Sequence, residues 1–417
     1  MSSPAAAAPT SLPDLSPAAL SAFSLHQPPE GFANDPYPVY AALRTSRPVH
    51  EMARGVYLLT RYEDVAAVYR SANMSSNKQR EFGPKFGTDS PLYEHHTTSL
   101  VFNDPPLHTR VRRLLMGALN QRAIARMEAG VEALVTGLID RMEDEDEPDL
   151  IHHFAARIPV EVIGNLLDIP SAERGPLQAW SLAILSALEP APAPAVLAAG
   201  DKAVREFVDY LRTLVADRRK HPGDAQVDVL TRLIQGDAGG EQFSELELLH
   251  NCIFLLNAGH ETTTNLIGNG VHALLTQRAT FDRLVAEPQL LPTAVEELLR
   301  FESPLQLNNR LTTAPITLNG IEIASGSFLT LGVGAANRDP AVFADPDLLD
   351  IARKPNHHVA FGHGAHACAG MNVARLEARI AIGQLVARCP RLDFGGVAVR
   401  DPRVRFRGFR SLPVTLR

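Results

Sequence analysis

The run Phe361-Gly-His-Gly-Ala-His-Ala-Cys368-Ala-Gly370 constrains this chain more than any other segment. A cysteine in that position can act as an anionic sulfur ligand to a metal. Gly362, Gly364 and Gly370 allow a tight loop and let a flat cofactor approach the backbone closely. A helical pattern follows over about 369–387. The free N–H groups and positive dipole end of a helix starting near Ala369 favour thiolate over thiol. His366, two residues before the sulfur, can hydrogen-bond an anionic edge of the cofactor. The plainer reading of any single cysteine is a buried, inert side chain.

A second segment, Asn257-Ala-Gly-His-Glu-Thr-Thr-Thr264, interrupts a helical pattern that otherwise covers 244–275. Gly259 weakens the helix locally and leaves room above a flat ligand. A hydroxyl at Thr262 can disturb the backbone ladder or hold water. Glu261 beside it offers a proton relay at the same point; a polar kink in a buried helix is the alternative. Glu297 and Arg300 are three apart on a helix and can pair on one face, with Arg353 completing a charged cluster. A surface pair is the plainer reading. His108 and Arg112 lie four apart after Asp104-Pro-Pro106, and Arg310 ends a turn after Pro304. These cations can neutralise the carboxylates of a buried cofactor, or be ordinary surface charge.

The rest of the chain reads as one large unit. Its 417 residues are 45% hydrophobic, enough for a sizeable core, and no linker divides them. A net charge of -7 and the lack of a long basic tract argue against nucleic-acid binding. Cys252, Cys368 and Cys389 form no CxxC pair and no disulfide framework, which fits a reducing cytoplasm. No run reaches the roughly 18 apolar residues of a membrane span, and the Pro/Ala-rich start lacks the layout of an export signal.

Residues 1–30 read as a mostly flexible tail with a short helix from Ser16-Pro17, ahead of a unit covering 31–417. A proline-opened helix is expected over 35–44, a strand over 56–60 and a helix over 62–69. Residues 71–100 lack clear periodicity and read as a long loop that covers or binds something. Helical patterns then cover about 106–119, 123–144, 155–167, 173–188, 196–219, 225–234, 244–275, 278–285 and 289–301. The period changes at 304–332, where short strands are expected over 311–318, 321–324 and 327–331, with turns at Asn319-Gly320 and Ser325-Gly326. The expected class is mainly α with a minor β region.

FGHGAHACAG at 361–370, AGHETT at 258–263, ELLR at 297–300 and DPPLHTRVRR at 104–113 stand in a telling order and spacing. With them the chain resembles a soluble, bacterial-type cytochrome P-450 from about residue 31 to 417. The resemblance implies a single haem-enclosing unit with haem b as cofactor. Cys368 would be the axial thiolate and metal ligand, within a loop that includes Phe361, Gly362 and Gly370. His108, Arg112, Arg310 and His366 would hold the propionates. Ala258 and Gly259 would sit over the haem, Glu261 and Thr262 would serve oxygen activation, and Glu297, Arg300 and Arg353 would form a structural triad. Asn257 places a polar side chain where an aliphatic one is common, and Asn308-Asn309 add polar groups before Arg310.

The implied reaction is a monooxygenation: one atom of O2 enters a small hydrophobic substrate by hydroxylation or epoxidation. Electrons would come from a ferredoxin with a separate reductase, because no Gly-rich nucleotide fingerprint appears and only 47 residues follow Gly370. Arg113, Arg375 and Arg379 are candidate contacts for such a partner. Phe82, Phe86, Leu92, Phe102, Leu256, Leu305, Leu307 and Phe409 are candidate substrate contacts, together with the 181–197 segment. A peroxide-driven enzyme of the same fold is the nearest alternative, but Glu261-Thr262 does not match its usual arginine–proline pair. A nitric-oxide reductase and a non-catalytic haem sensor or carrier are further alternatives. A monomer without membrane or nucleic-acid partners is expected.

Overall fold

The structure, a computed structural model, describes residues 13–416 apart from 227 and 238. Of the tail expected over residues 1–30, the first twelve lie outside the described residues.

The helix Glu245–Thr276 runs through the middle of the molecule. It starts at a capping box: Ser244 accepts from the Glu247 N–H, and the Glu247 carboxylate accepts from the Ser244 N–H. Leu248, Leu249, Ile253, Leu256, Leu266, Ile267 and Val271 are buried around it, so it is enclosed on nearly all sides. Packed against it are the helices Arg157–Leu166, Leu177–Ser186, Pro194–Lys220, Leu291–Phe301 and Met371–Arg388. The segment 257–264 does not interrupt this helix, which is a correction to the sequence reading. The Thr262 hydroxyl donates to the Ala258 carbonyl at 2.8 Å, one turn back, so it is satisfied without breaking the ladder.

A five-stranded sheet stands beside the helices in the order Val49–Ala53, Val56–Leu59, Phe328–Gly332, Leu307–Thr312, Met74–Ser75. Only the second and third strands pair in parallel, with Val56 opposite Phe328 and Leu59 opposite Leu331. The hairpin Ile316–Leu318 to Ile321–Ile323 turns at Asn319 and Gly320, whose φ angles of 47° and 76° suit a two-residue turn. The expected strand over 311–318 is in fact two strands, Leu307–Thr312 and Ile316–Leu318.

Two further expectations change. The stretch 71–100 is not one loop: it holds the helices Gln79–Phe86 and Pro91–Thr98. Gly83 and Pro84 inside the first obscure its period, while Ser90 caps the second by accepting from the N–H groups of Leu92 and Tyr93. Nor does packing begin at residue 31. Leu20, Phe23 and Leu25 are buried in a cluster with Phe32, Tyr40 and Leu307, because an apolar helix Pro17–Ser21 and its exit cover that face of the sheet.

Candidate active site

Cys368 sits just before the helix Met371–Arg388, in a loop tied to itself by the Cys368 N–H donating to the Phe361 carbonyl at 2.8 Å. Gly362 and Gly364 adopt φ angles of 65° and 71°, which ordinary side chains rarely take. A Cβ on Gly364 would stand 2.7 Å from the Tyr69 carbonyl oxygen, so glycine is required there twice over. A Cβ on Gly370 would meet nothing within 4 Å. Burial pushes the Cys368 thiol up, against the Gly370 backbone N–H and the charges of Arg112 and Arg375, which pull it down.

His108, Arg112, Arg310 and His366 come together beside this loop, although they lie on three separate segments. The rings of His108 and His366 are 3.9 Å apart at 34°. Burial holds His366 down to about 3, helped by His108, Arg310 and Arg112. Burial likewise lowers His108, and its Nε2 has no partner among the described residues. Arg310 donates to the Asn309 carbonyl at 2.8 Å and to Asn308 Oδ1 at 3.3 Å, and lies over the Tyr69 ring. Such a gathering of cation-capable groups is unfavourable unless an anion lies among them.

In the central helix, Ala258 is exposed and Phe254 and Thr262 are half-exposed, while most neighbouring positions are buried. Their spacing of four puts all three on one face. Gly259 does not belong to that face in the way expected: a Cβ there would approach Ile163 Cδ1 at 3.2 Å, so its missing side chain makes room for the neighbouring helix. Glu261 is 2% exposed and is paired with Arg403. Burial raises its carboxyl to about 7, with Arg403 opposing. Behind it, Thr263 hydrogen-bonds the buried Glu377 of the cysteine helix, whose carboxyl burial raises to about 8. This contact locks the central helix to the helix that follows Cys368.

One sulfur, a converging set of cations, an unpartnered buried imidazole nitrogen and an accessible Ala258–Thr262 face fit an iron porphyrin with its two carboxylates. Residues 193–394 match a family model described as Cytochrome P450. A Bacillus subtilis protein named Cytochrome P450 is 35% identical over 372 residues, covering 88% of this chain and 89% of its own. The chain belongs to the cytochrome P450 family. The Vitamin D(3) 25-hydroxylase of Pseudonocardia autotrophica is 37% identical and covers 92% of this chain and 94% of its own. The crystal structure of P450BioI in complex with hexadec-9Z-enoic acid ligated acyl carrier protein superposes with a TM-score of 0.87, at 33% identity over 93% of this chain and 99% of that one. This P450 is accordingly an oxidoreductase, a monooxygenase of a haem-thiolate family whose cofactor is protoporphyrin IX iron.

The P450 also brings together the Glu297, Arg300 and Arg353 side chains. Glu297 accepts from Arg300 Nε and Nη2 at 2.7 and 2.8 Å and from Arg353 Nε at 3.1 Å. The Asp350 N–H and Asn356 add two more donors at 2.9 and 3.1 Å. Glu297 and Arg300 are fully buried, so the surface-pair alternative fails.

The substrate candidates divide. Phe82, Phe86, Phe102 and Leu305 share one apolar cluster with Leu185, Leu188 and Phe406. Leu92 belongs to helix packing, its methyl groups set against Gly200. Leu256 is buried in the main core. Leu307 is buried on the N-terminal side of the sheet, and Phe409 stacks on His272 at 4.6 Å beneath Arg400. These four pack into the protein's own interior, whereas Phe406, three residues before Phe409, joins the cluster around Phe82. Arg403 and Phe406 were missed because nothing local in the sequence marks a short irregular segment as facing the central helix. The three arginines expected to greet a redox partner are all engaged by the chain's own carboxylates: Arg113 by Asp237 and Glu241, Arg375 by Glu296 and Arg379 by Glu128.

Proposed function

We propose that this P450 inserts one oxygen atom from O2 into a small hydrophobic organic substrate, by hydroxylation or epoxidation. The observation that supports this best is the assembly of His108, Arg112, Arg310 and His366 beside Cys368, together with a central-helix face that exposes Ala258 and leaves Thr262 half-exposed. The bound haem supplies O2 binding and activation, with a thiolate ligand favouring O–O cleavage.

The chain's own residues do the rest. Cys368 would ligate the haem iron through Sγ. His108, Arg112, Arg310 and His366 would neutralise its two carboxylates, and Tyr69 braces Arg310 through its ring. The apolar side chains of Phe82, Phe86, Phe102, Leu305 and Phe406 exclude water and hold substrate. Glu261, with a carboxyl raised to about 7, exchanges protons at its carboxylate oxygens, and water carries them between it and the Thr262 hydroxyl. The buried Glu297 cluster anchors the irregular segment that leads to the cysteine loop. Electrons come from a separate ferredoxin with its reductase, and the enzyme works as a cytoplasmic monomer. No helix among the described residues is long and apolar enough to cross a membrane.

The deciding experiment is the carbon-monoxide difference spectrum of the reduced protein. The expected result is the red-shifted Soret band of thiolate-ligated haem, lost in Cys368→Ala. Persistence of that band in the variant would overturn the assignment of the ligand, and an imidazole-type band in the wild type would overturn the reaction.

A further inference from the structure

The helices Gln121–Glu143, Arg157–Leu166 and Val229–Gln235 leave a groove of about 220 Å³ between them, and none of the active-site residues above lines it. Met127, Val131, Leu134, Val162, Leu166 and Val229 form its walls. Val131, Val162, Leu166 and Val229 are buried in the main core, whereas Met127 and Leu134 are only half-buried. The helix Arg157–Leu166 separates the groove from the central helix: Val162 and Leu166 line the groove, while Ile163 packs toward Gly259.

Gly130 also lines the groove, midway along the helix Gln121–Glu143. Glycine weakens a helix interior relative to alanine. A Cβ at Gly130 would meet nothing within 4 Å, so packing does not require glycine there. Its missing side chain keeps the groove open.

Two polar side chains complete the lining, and both offer donors. Asn165 Oδ1 accepts from Arg174 Nη2 at 2.9 Å, which leaves the Asn165 amide N–H groups to donate. Arg126 donates to the Gln226 carbonyl at 3.1 Å, and no carboxylate pairs with it among the described residues. Carboxylates on the same three helices and their flanks are taken: Glu128 by Arg379, Glu161 by Arg174 and Asp228 by Arg218. An apolar groove edged by a cation and a second donor complements a hydrophobic anion.

We propose that this groove is a second binding site, for a small hydrophobic carboxylate. The apolar body lies between the three helices, and the carboxylate accepts from Arg126 and Asn165. A cavity of roughly 150 Å³ holds a benzene ring. The groove, at about 220 Å³, therefore takes a ring with a short chain. A docked partner protein would need a far larger surface. No active-site residue lines the groove, so the site does not depend on the monooxygenase reading.

The test is calorimetric titration of the haem-loaded protein with 4-phenylbutanoate and 4-phenylbutan-1-ol, which share one apolar skeleton. Saturating 1-phenylimidazole fills the haem pocket, and its Soret shift confirms that the pocket stays filled. The acid should still bind at one site, with millimolar or tighter affinity. It should bind about threefold more tightly than the alcohol, the worth of one exposed charge pair. Arg126→Gln should abolish that preference. Gly130→Leu adds a good helix former and fills the groove, and should weaken the acid about tenfold or more. Either variant suffices if the other fails to fold. Undiminished binding to Gly130→Leu would put the ligand elsewhere. Equal binding of acid and alcohol to the wild type would mean a crevice that does not recognise an anion. Either result, or no binding of the acid, overturns the inference.

Discussion

Glu261 and Glu302 are buried carboxylates facing two arginines of the same C-terminal segment, Arg403 and Arg407, yet they hold protons in opposite ways. Arg407 Nε donates to Glu302 at 2.6 Å, and Arg338 and Arg400 approach it at 3.5 and 3.9 Å. Burial would raise its carboxyl, but Arg407, Arg400 and Arg338 together hold it at about 2. Glu261 has one guanidinium, and Arg403 also serves Asp401 at 2.9 and 3.1 Å. Asp401 and Glu189 add negative charge, so burial prevails and the Glu261 carboxyl rises to about 7. With burial nearly constant, the number of cations and the sharing of each decide between a carboxylate held ionised and one raised toward neutrality.

The largest effect should come from the fixed anion. Glu302→Ala leaves Arg338, Arg400 and Arg407 facing one another in the interior, and should cost about 3–5 kcal/mol in chemical unfolding. A loss below about 1 kcal/mol, the scale of a surface pair, would show that the three arginines find other partners. Glu261→Gln should disturb folding far less, since Arg403 keeps Asp401. It should instead cut product formed per reductant consumed by about 100-fold, as expected of a lost proton donor. Unchanged product yield would remove Glu261 from proton delivery.

The dependence of stability on pH should have opposite signs at the two sites. The folded pKa of Glu302 lies below its ordinary value of 4.5, so its stabilisation is present above 4.5 and is lost as pH falls through about 2. The folded pKa of Glu261 lies above 4.5, so its stabilisation is present below 4.5 and is lost as pH rises through about 7. Unfolding free energies of wild type minus Glu302→Gln and minus Glu261→Gln, followed across that range, should slope in opposite directions. Slopes of one sign would break the comparison. The smallest effect is expected for Arg403→Leu, which removes the cation that opposes burial. The midpoint of product formation against pH should then move upward from about 7; a downward shift would mean that Arg403 does not hold the carboxylate.

The legible parts were those written in neighbouring residues. The cysteine loop reads directly, because its glycines and sulfur act within ten positions of one another. Glu261 and Thr262 are adjacent, and the spacing of Glu297 and Arg300 already puts them on one helix face. The helix Pro91–Thr98 was also available, since Ser90-Pro91 is an N-cap followed by a first-turn proline, but weak periodicity hid it. Other features left no such trace. Phe406 and Phe409 lie three apart in a segment with little regular structure, and only the fold shows that one faces the apolar cluster and the other His272. Gly259 reads as space for a ligand until Ile163 is found 3.2 Å from where its Cβ would be.

The sequence by itself determined the family and the mainly helical class, and it marked the cysteine loop and the neighbouring Glu261 and Thr262 as candidates. Caps, glycines and hydrophobic periods act over a few residues and survive in the order of the letters. Only the tertiary structure decided which arginine faces which carboxylate, which aromatic rings meet, and that Arg126 stands without a carboxylate beside an apolar groove. Those outcomes depend on groups far apart in the chain, because desolvation and charge pairing depend on what surrounds a group in space, whatever its neighbours in sequence.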